Sequence, residues 1–265
     1  MSFQGKRVWI TGASSGIGAG LARELASQGA HLLLSARRED ELRKVQGECL
    51  ADAASAEVLP LDLTDPEQVR HAAQSALQNH GPIDILIHCA GVSQRSLARD
   101  TSDAVDRALM EINYFGAVEL TRAVLPAMLA RKEGHLVVVS SVAGKIGTPL
   151  RSSYCAAKHA LIGYFDSLRA EVFGDGIFVT TICPGYIATE ISSKAYTGNG
   201  GRYGKVDAEL QHAMSPTECA RQILRAVAAR KPEAVVSGPK ERMAVYLRRF
   251  CPQLLFRLIR SHAPS

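Results

Sequence analysis

Short apolar runs alternate with amphipathic helical segments along most of the chain. The apolar runs predict strands over residues 7–10, 31–35, 58–61, 83–88, 135–140, 177–183 and 234–236. The segments between them predict helices over about residues 17–28, 39–51, 66–79, 104–130, 154–173 and 216–230. The apolar runs do not alternate cleanly with polar residues, so we expect both faces of each strand to be buried. The pattern predicts an α/β protein with one doubly wound parallel sheet of about seven strands and helices on both faces.

Two residues bear on where the predicted helices begin and end. Asp65 precedes the helix predicted over 66–79 and has a side chain suited to an N-cap. Pro126 falls inside the helix predicted over 104–130, and proline lacks the backbone N–H that the helical ladder uses. We therefore expect Pro126 either to kink this helix or to end its regular part.

The composition is that of an ordinary soluble protein. The chain has 265 residues, of which 46% are hydrophobic and 22% are charged, and this length allows a sizeable core. No stretch approaches the roughly 20 apolar residues of a membrane span, and the first strand begins too early to leave room for a signal peptide. The six cysteines have no metal-ligand spacing. We therefore expect reduced cysteines, no metal site and a cytoplasmic location.

The net charge of +5 resides in the C-terminal segment. Residues 240–265 contain six lysines and arginines against Glu241 as their acidic residue, so residues 1–239 sum to zero. A neutral body argues against a nucleic-acid-binding protein, whose binding face would be basic. We therefore divide the chain into a main domain, residues 1–239, and a basic tail, residues 240–265.

On a helical wheel the tail is amphipathic, and Pro252 divides it into two short helices. Its apolar side carries Met243, Leu247, Phe250, Leu254 and Leu258. Its opposite side carries Arg242, Arg249, Arg257 and Arg260. Such a segment can rest on an anionic membrane surface, which would make the protein peripheral to a membrane through residues 240–260. In the alternative interpretation the apolar side packs on the body of the protein or on a second subunit.

A glycine-rich turn, T-G-A-S-S-G-I-G over residues 11–18, stands between the first strand and the first helix. In this context glycines permit a tight turn and a close backbone approach to a pyrophosphate, and the helix N-terminus attracts phosphate. The turn predicts a Rossmann-type dinucleotide site. The expected cofactor-binding residues of this turn are Gly12, Ser14, Ser15, Gly16, Ile17 and Gly18.

The end of the second strand distinguishes NADP from NAD. NAD-binding proteins usually place an acidic residue about 20 positions after the glycines, whereas this chain has Arg37 and Arg38 there. Arginine binds phosphate well, so NADP(H) is favoured and NAD(H) stays the alternative. Asp62 and Leu63, after the third strand, are expected beside the adenine.

A second group of polar residues follows the fifth strand. Tyr154 and Lys158 are four residues apart on a predicted helix and share one face. A nearby ammonium group lowers the pKa of a phenol, so Tyr154 could exchange a proton with a substrate oxygen near neutral pH. Ser141, at the end of the strand, could hydrogen-bond the same oxygen. These three residues predict a general acid–base site.

Together these motifs resemble the short-chain dehydrogenase/reductase family over about residues 5–238. The glycine turn matches T-G-x-x-x-G-x-G, and Tyr154 and Lys158 match its Y-x-x-x-K. The resemblance implies that Tyr154 protonates or deprotonates the substrate oxygen and that Lys158 binds the nicotinamide ribose. It implies that Ser141 fixes that oxygen and that Asn113, in the long helix, anchors a proton-relaying water chain.

The resemblance extends the cofactor site to residues that follow later strands. These residues are Ala90, Gly91, Pro184, Gly185, Ile187 and Thr189, together with Tyr154 and Lys158. The family's usual N-N-A-G reads His88-Cys89-Ala90-Gly91 here. We expect His88 to be a core histidine, not a catalyst. The resemblance also implies a homodimer or homotetramer joined through the long helix and the catalytic helix.

Residues 187–211 are expected to form a substrate lid within the catalytic domain, since glycines suit a mobile loop. Tyr186, Tyr196 and Tyr203 are candidates to line the pocket, and the other possibility is that they are surface aromatics. With Ser141 and Tyr154, Tyr186 completes the expected substrate-binding set. We expect a neutral carbonyl or alcohol substrate, with lipid-like and steroid-like molecules still open.

The sequence thus predicts an NADP(H)-dependent oxidoreductase that interconverts a ketone or aldehyde and an alcohol. Two alternatives remain at this point. One is an NAD-dependent dehydrogenase of the same family. The other is a cofactor-binding regulatory protein without turnover, which the presence of Ser141, Tyr154 and Lys158 disfavours.

Overall fold

Seven parallel strands form one sheet in the computed structural model, which describes residues 1–205 and 213–261. The strands are β1 (Arg7–Thr11), β2 (His31–Ser35), β3 (Ser55–Val58), β4 (Ile85–His88), β5 (Gly134–Val139), β6 (Ile177–Pro184) and β7 (Glu233–Val236). Their order across the sheet is β3-β2-β1-β4-β5-β6-β7. The predicted doubly wound sheet is therefore confirmed.

Helices flank the sheet in the alternating pattern expected of such a fold. They are α1 (Gly16–Ala26), α2 (Glu39–Cys49), α3 (Pro66–His80), α4 (Asp103–Met110), α5 (Gly116–Arg131), α6 (Ser152–Glu171), α7 (Pro216–Ala228), α8 (Pro239–Phe250) and α9 (Pro252–Arg260). Asp65 caps α3 as predicted, because its carboxylate accepts hydrogen bonds from the backbone N–H groups of Glu67 and Gln68, both at 3.0 Å.

The two faces of the sheet are buried in separate cores. On β1, Val8 and Ile10 pack with α1, α2 and α7, whereas Trp9 packs with α3, α5 and α6. Successive strand residues point to opposite faces, so a strand covered on both faces needs apolar residues at consecutive positions. This explains why the strands appear in the sequence as short unbroken apolar runs.

Two predicted elements differ from the structure. The third strand covers Ser55–Val58 instead of 58–61, because it pairs with β2 from His31 to Leu34. It is an edge strand and half-buried, so its sequence carries little apolar signal. The long predicted helix is also interrupted, since residues Glu111–Phe115 form a π-helical turn between α4 and α5. Pro126 does not end α5, which continues to Arg131.

The tail folds as two short helices, α8 and α9, as the position of Pro252 predicts. Leu255 is buried, and with Leu247 and Ile259 it packs against Val142 and Ile146 of the body. Part of the predicted apolar side is nevertheless exposed: Met243, Phe250, Leu254 and Leu258 are 46–74% exposed. The backbone break at Cys251 rotates α9 relative to α8, so one continuous wheel does not describe both helices.

The chain's topology places the candidate site at the carboxyl edge of the sheet. The strand order reverses between β1 and β4, and ligands of such sheets bind outside the strand ends at this point. No helix within residues 1–205 and 213–261 has the length and apolar character needed to cross a bilayer. In the same described ranges, His, Cys, Asp and Glu side chains form no group that could hold a metal.

Candidate active site

A cavity of about 340 Å³ opens at the carboxyl ends of β1, β2, β4, β5 and β6. Its wall contains each residue that the sequence nominated for cofactor binding. These are Gly12, Ser14, Ser15, Gly16, Ile17, Gly18, Arg37, Arg38, Asp62, Leu63, Ala90, Gly91, Tyr154, Lys158, Pro184, Gly185, Ile187 and Thr189. Residues from six separate stretches of the chain thus meet around one space.

The glycine turn is packed too tightly for side chains. A Cβ on Gly12 would lie 2.7 Å from the backbone of Ala90, and a Cβ on Gly18 would lie 2.2 Å from the carbonyl oxygen of Gly12. Gly16 has φ +55°, a left-handed conformation that favours glycine. Ser15, the N-cap of α1, makes no side-chain cap hydrogen bond, so the first N–H groups of α1 are available to a phosphate.

The cavity wall also contains several basic residues. Arg37 and Arg38 are both exposed and lie in the wall at the end of β2, and Lys194 and Arg202 of the predicted lid lie in the same wall. Lys194 forms an ion pair with Glu190 at 2.5 Å. The sequence did not predict Lys194 or Arg202 as site residues, because both are distant in sequence from the strand ends that form the rest of the wall.

Tyr154 and Lys158 meet on the first two turns of α6, and both are buried. The Lys158 ammonium lies 5.9 Å from the centroid of the Tyr154 ring and donates a hydrogen bond to the carbonyl oxygen of Val139 at 3.0 Å. The Ser141 hydroxyl donates to the carbonyl oxygen of Pro184 at 3.5 Å and accepts from the backbone N–H of Ala143 at 3.1 Å. It is also near enough to the Tyr154 hydroxyl to oppose the rise in the tyrosine pKa. Three of the four predicted catalytic residues, Ser141, Tyr154 and Lys158, therefore line the same cavity.

The direction of the tyrosine pKa differs from the prediction. Burial raises the pKa of Tyr154, and the opposing effects of the Ser141 hydrogen bond and the positive charges of Arg151 and Arg95 do not outweigh it. Burial also lowers the pKa of Lys158 to about 8. The sequence predicted a lowered tyrosine pKa because residue spacing reveals the neighbouring charge but not the loss of hydration.

Asn113 lies in the π-helical turn and outside the cavity wall. Its amide oxygen accepts from the backbone N–H of Val92, and its amide nitrogen donates to the carbonyl oxygens of Val92 and Leu109. Gly91 separates Asn113 from Lys158: a Cβ there would lie 2.7 Å from the Asn113 oxygen and 3.2 Å from the Lys158 nitrogen. The asparagine thus lies close behind the lysine.

The three candidate tyrosines do not line the cavity. Tyr186 is half-buried, and Arg151 donates to its hydroxyl at 3.4 Å while lying over its ring. Tyr196 pairs through its backbone with Gln94. The predicted lid reaches residue 211, and its part over 206–211 lies outside the described residues. Its described cavity-lining residues include Ile187, Thr189, Glu190 and Ile191.

His88 is a core residue, as predicted. It is 3% exposed, and its Nε2 is 2.8 Å from the Thr121 hydroxyl. Burial lowers the pKa of His88 to about 3, which keeps the ring neutral. Further cavity residues that the sequence did not nominate include Ser35, Val92, Ile112, Val139 and Ser140. Ser35 and Val139 end β2 and β5, and Ser140 follows β5 directly, so the predicted strand ends indicated where these three lie.

Comparison with known proteins gives one consistent result. The sequence profile of the family described as short chain dehydrogenase matches residues 6–200. The chain is 45% identical over 264 residues to a dehydrogenase/reductase SDR family protein 7-like of Anopheles gambiae, covering 98% of this chain and 83% of that protein. It is 44% identical over 262 residues to dehydrogenase/reductase SDR family member 7B of Bos taurus, covering 97% and 81%.

Solved structures agree with the sequence matches. A short chain dehydrogenase/reductase from Burkholderia phymatum in complex with NAD superposes with a TM-score of 0.84 at 26% identity, covering 96% of both chains. A short-chain dehydrogenase from Streptomyces avermitilis superposes with a TM-score of 0.81 at 30% identity, covering 96% of this chain and 95% of that one. The fold, the cavity and these matches together place the chain in the short-chain dehydrogenase/reductase family, as a nicotinamide-cofactor-dependent oxidoreductase.

Proposed function

We propose that the protein is an NADP(H)-dependent reductase that interconverts a ketone or aldehyde and the corresponding alcohol. The observation that carries the proposal is that Ser141, Tyr154 and Lys158 line the same cavity as Arg37 and Arg38. The first group is suited to proton transfer and the second to binding a phosphate. The family itself accounts for the oxidoreductase class, and the geometry supports these finer assignments.

The residues of the cavity fit a nicotinamide dinucleotide. The glycine turn and the uncapped start of α1 would hold the pyrophosphate, and Asp62 and Leu63 would flank the adenine. Lys158 would bind the nicotinamide ribose, and Thr189 with Ile187 would hold the carboxamide end. When bound, the nicotinamide donates or accepts the hydride.

The chain's own side chains handle the proton. Because burial raises the pKa of Tyr154, the phenol is protonated at neutral pH and can donate its proton to a carbonyl oxygen. Ser141 would donate a second hydrogen bond to the same oxygen. The Lys158 ammonium stabilises the phenolate that remains after the transfer, and Asn113, behind Gly91, would anchor the water chain that returns a proton.

The preference for NADP(H) rests on charge. Arg37 and Arg38 follow β2, where a carboxylate would otherwise bind the ribose 2′-hydroxyl. Arg202 adds positive charge to the same cavity, whereas the charge of Lys194 is balanced by Glu190. The relative from Burkholderia phymatum is in complex with NAD, so NAD(H) is the alternative cofactor. Titration of both reduced cofactors separates them: Arg37→Ala should weaken NADPH binding and leave NADH binding unchanged. Tighter binding of NADH than of NADPH to wild type would contradict the assignment.

Turnover is tested with a defined panel of carbonyl compounds. Acetophenone, cyclohexanone, 2-decanone, benzaldehyde and a steroid ketone would be incubated with NADPH, and loss of reduced-nicotinamide absorbance would be followed. Tyr154→Phe should abolish turnover while NADPH still binds, because the variant loses only the hydroxyl. Tyr164→Phe, elsewhere on α6, is the matched control. Turnover that survives in Tyr154→Phe would contradict the assigned proton donor.

A second proposal concerns the tail, residues 240–265, as a segment distinct from the catalytic domain over 1–239. Its exposed apolar residues, among them Phe250 at 74% and Phe256 at 52%, lie beside exposed arginines. This combination supports contact with an anionic membrane surface and a substrate that is lipid-like. Co-sedimentation with phosphatidylserine vesicles tests it, with Phe250→Ser as the variant. Equal soluble fractions with and without vesicles at low salt would contradict it.

The protein is further proposed to form a homodimer or homotetramer through α5 and α6. Phe115, just before α5, is 49% exposed and lies against Tyr114, which in turn contacts Tyr164 of α6. An exposed aromatic group beside two such helices suits a subunit interface. Light scattering after size-exclusion chromatography gives the subunit count, and Phe115→Ser should lower it. A monomeric wild type would contradict the proposal.

A further inference from the structure

A fully buried glutamine in the loop after β4 lies outside the chemistry described above. Gln94 is 0% exposed. It stands near the start of α6, the helix that carries Tyr154. The N-cap residue of α6, Arg151, makes no side-chain cap hydrogen bond. The first N–H groups of a helix have no partner within that helix, so those of α6 need an acceptor from another part of the chain.

Gln94 supplies this acceptor. Its Oε1 accepts from the backbone N–H of Ser153 at 2.9 Å and from that of Tyr154 at 3.4 Å. Its Nε2 donates to the hydroxyls of Ser96 at 3.0 Å and Thr101 at 2.7 Å. Backbone N–H groups can only donate, so the orientation of the amide group is fixed. Both the amide oxygen and the amide nitrogen of Gln94 are therefore hydrogen-bonded. The contact with Tyr154 is made through the tyrosine's backbone N–H.

The same stretch of backbone also binds the predicted lid, which the structure describes over residues 187–205. The N–H of Arg95 donates to the carbonyl oxygen of Tyr196 at 2.8 Å, and the N–H of Tyr196 donates to the carbonyl oxygen of Ser93 at 2.9 Å. The Arg95 guanidinium donates to the Ser192 hydroxyl at 2.9 Å. The lid therefore pairs on both sides of Gln94, while the Gln94 side chain points to α6.

We infer that Gln94 is a positioning residue that links the seating of the lid to the placement of Tyr154. The link is short. Gln94 lies between Ser93 and Arg95, whose backbones bond the lid, and its side chain accepts from the backbone N–H of Tyr154. The inference rests on the proposed role of Tyr154 as proton donor. Gln94 does not line the cavity and acts through the tyrosine.

The first test compares two glutamine-to-methionine variants. Gln94→Met keeps the length of the side chain but cannot accept from Ser153 and Tyr154. Small displacements of a reacting group are costly, so kcat should fall roughly ten- to hundredfold, with the Kd for NADPH unchanged. The control is Gln46→Met on α2, away from the site, which removes a hydrogen bond of 2.7 Å from the Gln46 amide to the carbonyl oxygen of Ala56 in β3. Equal kcat values in the two variants would overturn the inference.

The second test uses charge and the pH profile. Gln94→Glu restores an acceptor for the two N–H groups and should recover most of the kcat lost in Gln94→Met. Its carboxylate also disfavours the tyrosinate, so the alkaline decline of kcat should move to higher pH. If Gln94→Glu folds like wild type but its kcat stays as low as that of Gln94→Met, the inference is overturned. Thr101→Val, which removes one anchor of the amide, carries the test if Gln94→Met does not fold, and an unchanged kcat would then count against the inference.

A third measurement is independent of turnover. Amide hydrogen exchange of peptides covering residues 153–158 and 193–198 should speed up together in Gln94→Met and in neither segment of Gln46→Met. Faster exchange in 153–158 alone would overturn the link to the lid. If wild type reduces no compound of the panel, the proposed function fails, and the exchange result still decides whether Gln94 joins the lid and α6.

Discussion

Two buried histidines make the free energy of unfolding of this protein depend on pH. His88 and His135 are 3% and 2% exposed, and each has one ring nitrogen hydrogen-bonded to a threonine hydroxyl, at 2.8 Å in both cases. Their Nδ1 atoms have no partner in the described part of the chain. Burial lowers the pKa of His88 to about 3 and that of His135 to about 4. Both rings are therefore neutral in the folded protein.

The sign of the effect follows from proton counting. The ordinary pKa is 6.5, so between pH 6.5 and the lowered values the unfolded chain binds protons that the folded chain does not. The contribution of the two neutral histidines to the free energy of unfolding is complete above pH 6.5 and is lost progressively as the pH falls below it. Each pH unit in this window costs about 1.4 kcal/mol per histidine. At about pH 5, His88 alone therefore lowers the free energy of unfolding by about 2 kcal/mol relative to about pH 8.

The perturbation is His88→Asn, which restores the asparagine usual in the family at this position. Urea unfolding at several pH values, fixed ionic strength and fixed protein concentration gives the free energy of unfolding. The variant loses the Thr121 contact, so its absolute stability falls, but its decline between about pH 8 and 5 should be about 2 kcal/mol smaller than that of wild type. His71→Asn, an exposed histidine on α3, is the matched control. Parallel stability curves for wild type and His88→Asn would refute the reasoning.

Three further predictions follow from the same structure. Gly18→Ala places a Cβ 2.2 Å from the Gly12 carbonyl oxygen, so NADPH binding measured by fluorescence should be lost, whereas Gly163→Ala, with open space around it, should bind normally. Asp65→Ala removes the α3 cap and should cost about 1 kcal/mol in urea unfolding without changing kcat. The pKa of Lys158 is lowered to about 8, so the lysine loses its charge as the pH rises through about 8; NADPH binding should weaken over that range, and a flat titration would contradict this.

The fold and the cavity could be predicted largely from the sequence, because both depend on strand ends. A strand buried on two faces must be apolar at successive positions, so the central strands could be predicted from their apolar runs. The edge strand Ser55–Val58 is half-buried and polar at Ser55 and Glu57, so its bounds were wrong. The glycine turn and Y-x-x-x-K were readable because each lies within one short segment.

Other features depended on distant contacts. The raised pKa of Tyr154 comes from burial by the whole site, which residue spacing does not reveal. Lys194 and Arg202 enter the cavity wall through the path of the lid. In the tail, the break at Cys251 decided which residues face the body. The sequence did not predict a role for Gln94, because a single glutamine in a polar loop belongs to no periodic pattern or motif.

The pairing of the lid with the loop after β4 has a consequence for exchanging substrate preference between relatives. Ser102 donates its N–H to the Gly198 carbonyl oxygen at 2.9 Å, and a Cβ on Gly198 would lie 1.9 Å from the Asp100 carbonyl oxygen. The two segments are fitted to each other backbone to backbone. A lid transplanted alone would meet a foreign loop and lose its shape. Residues 92–102 and 187–205 therefore form one exchangeable unit, although 84 residues separate them.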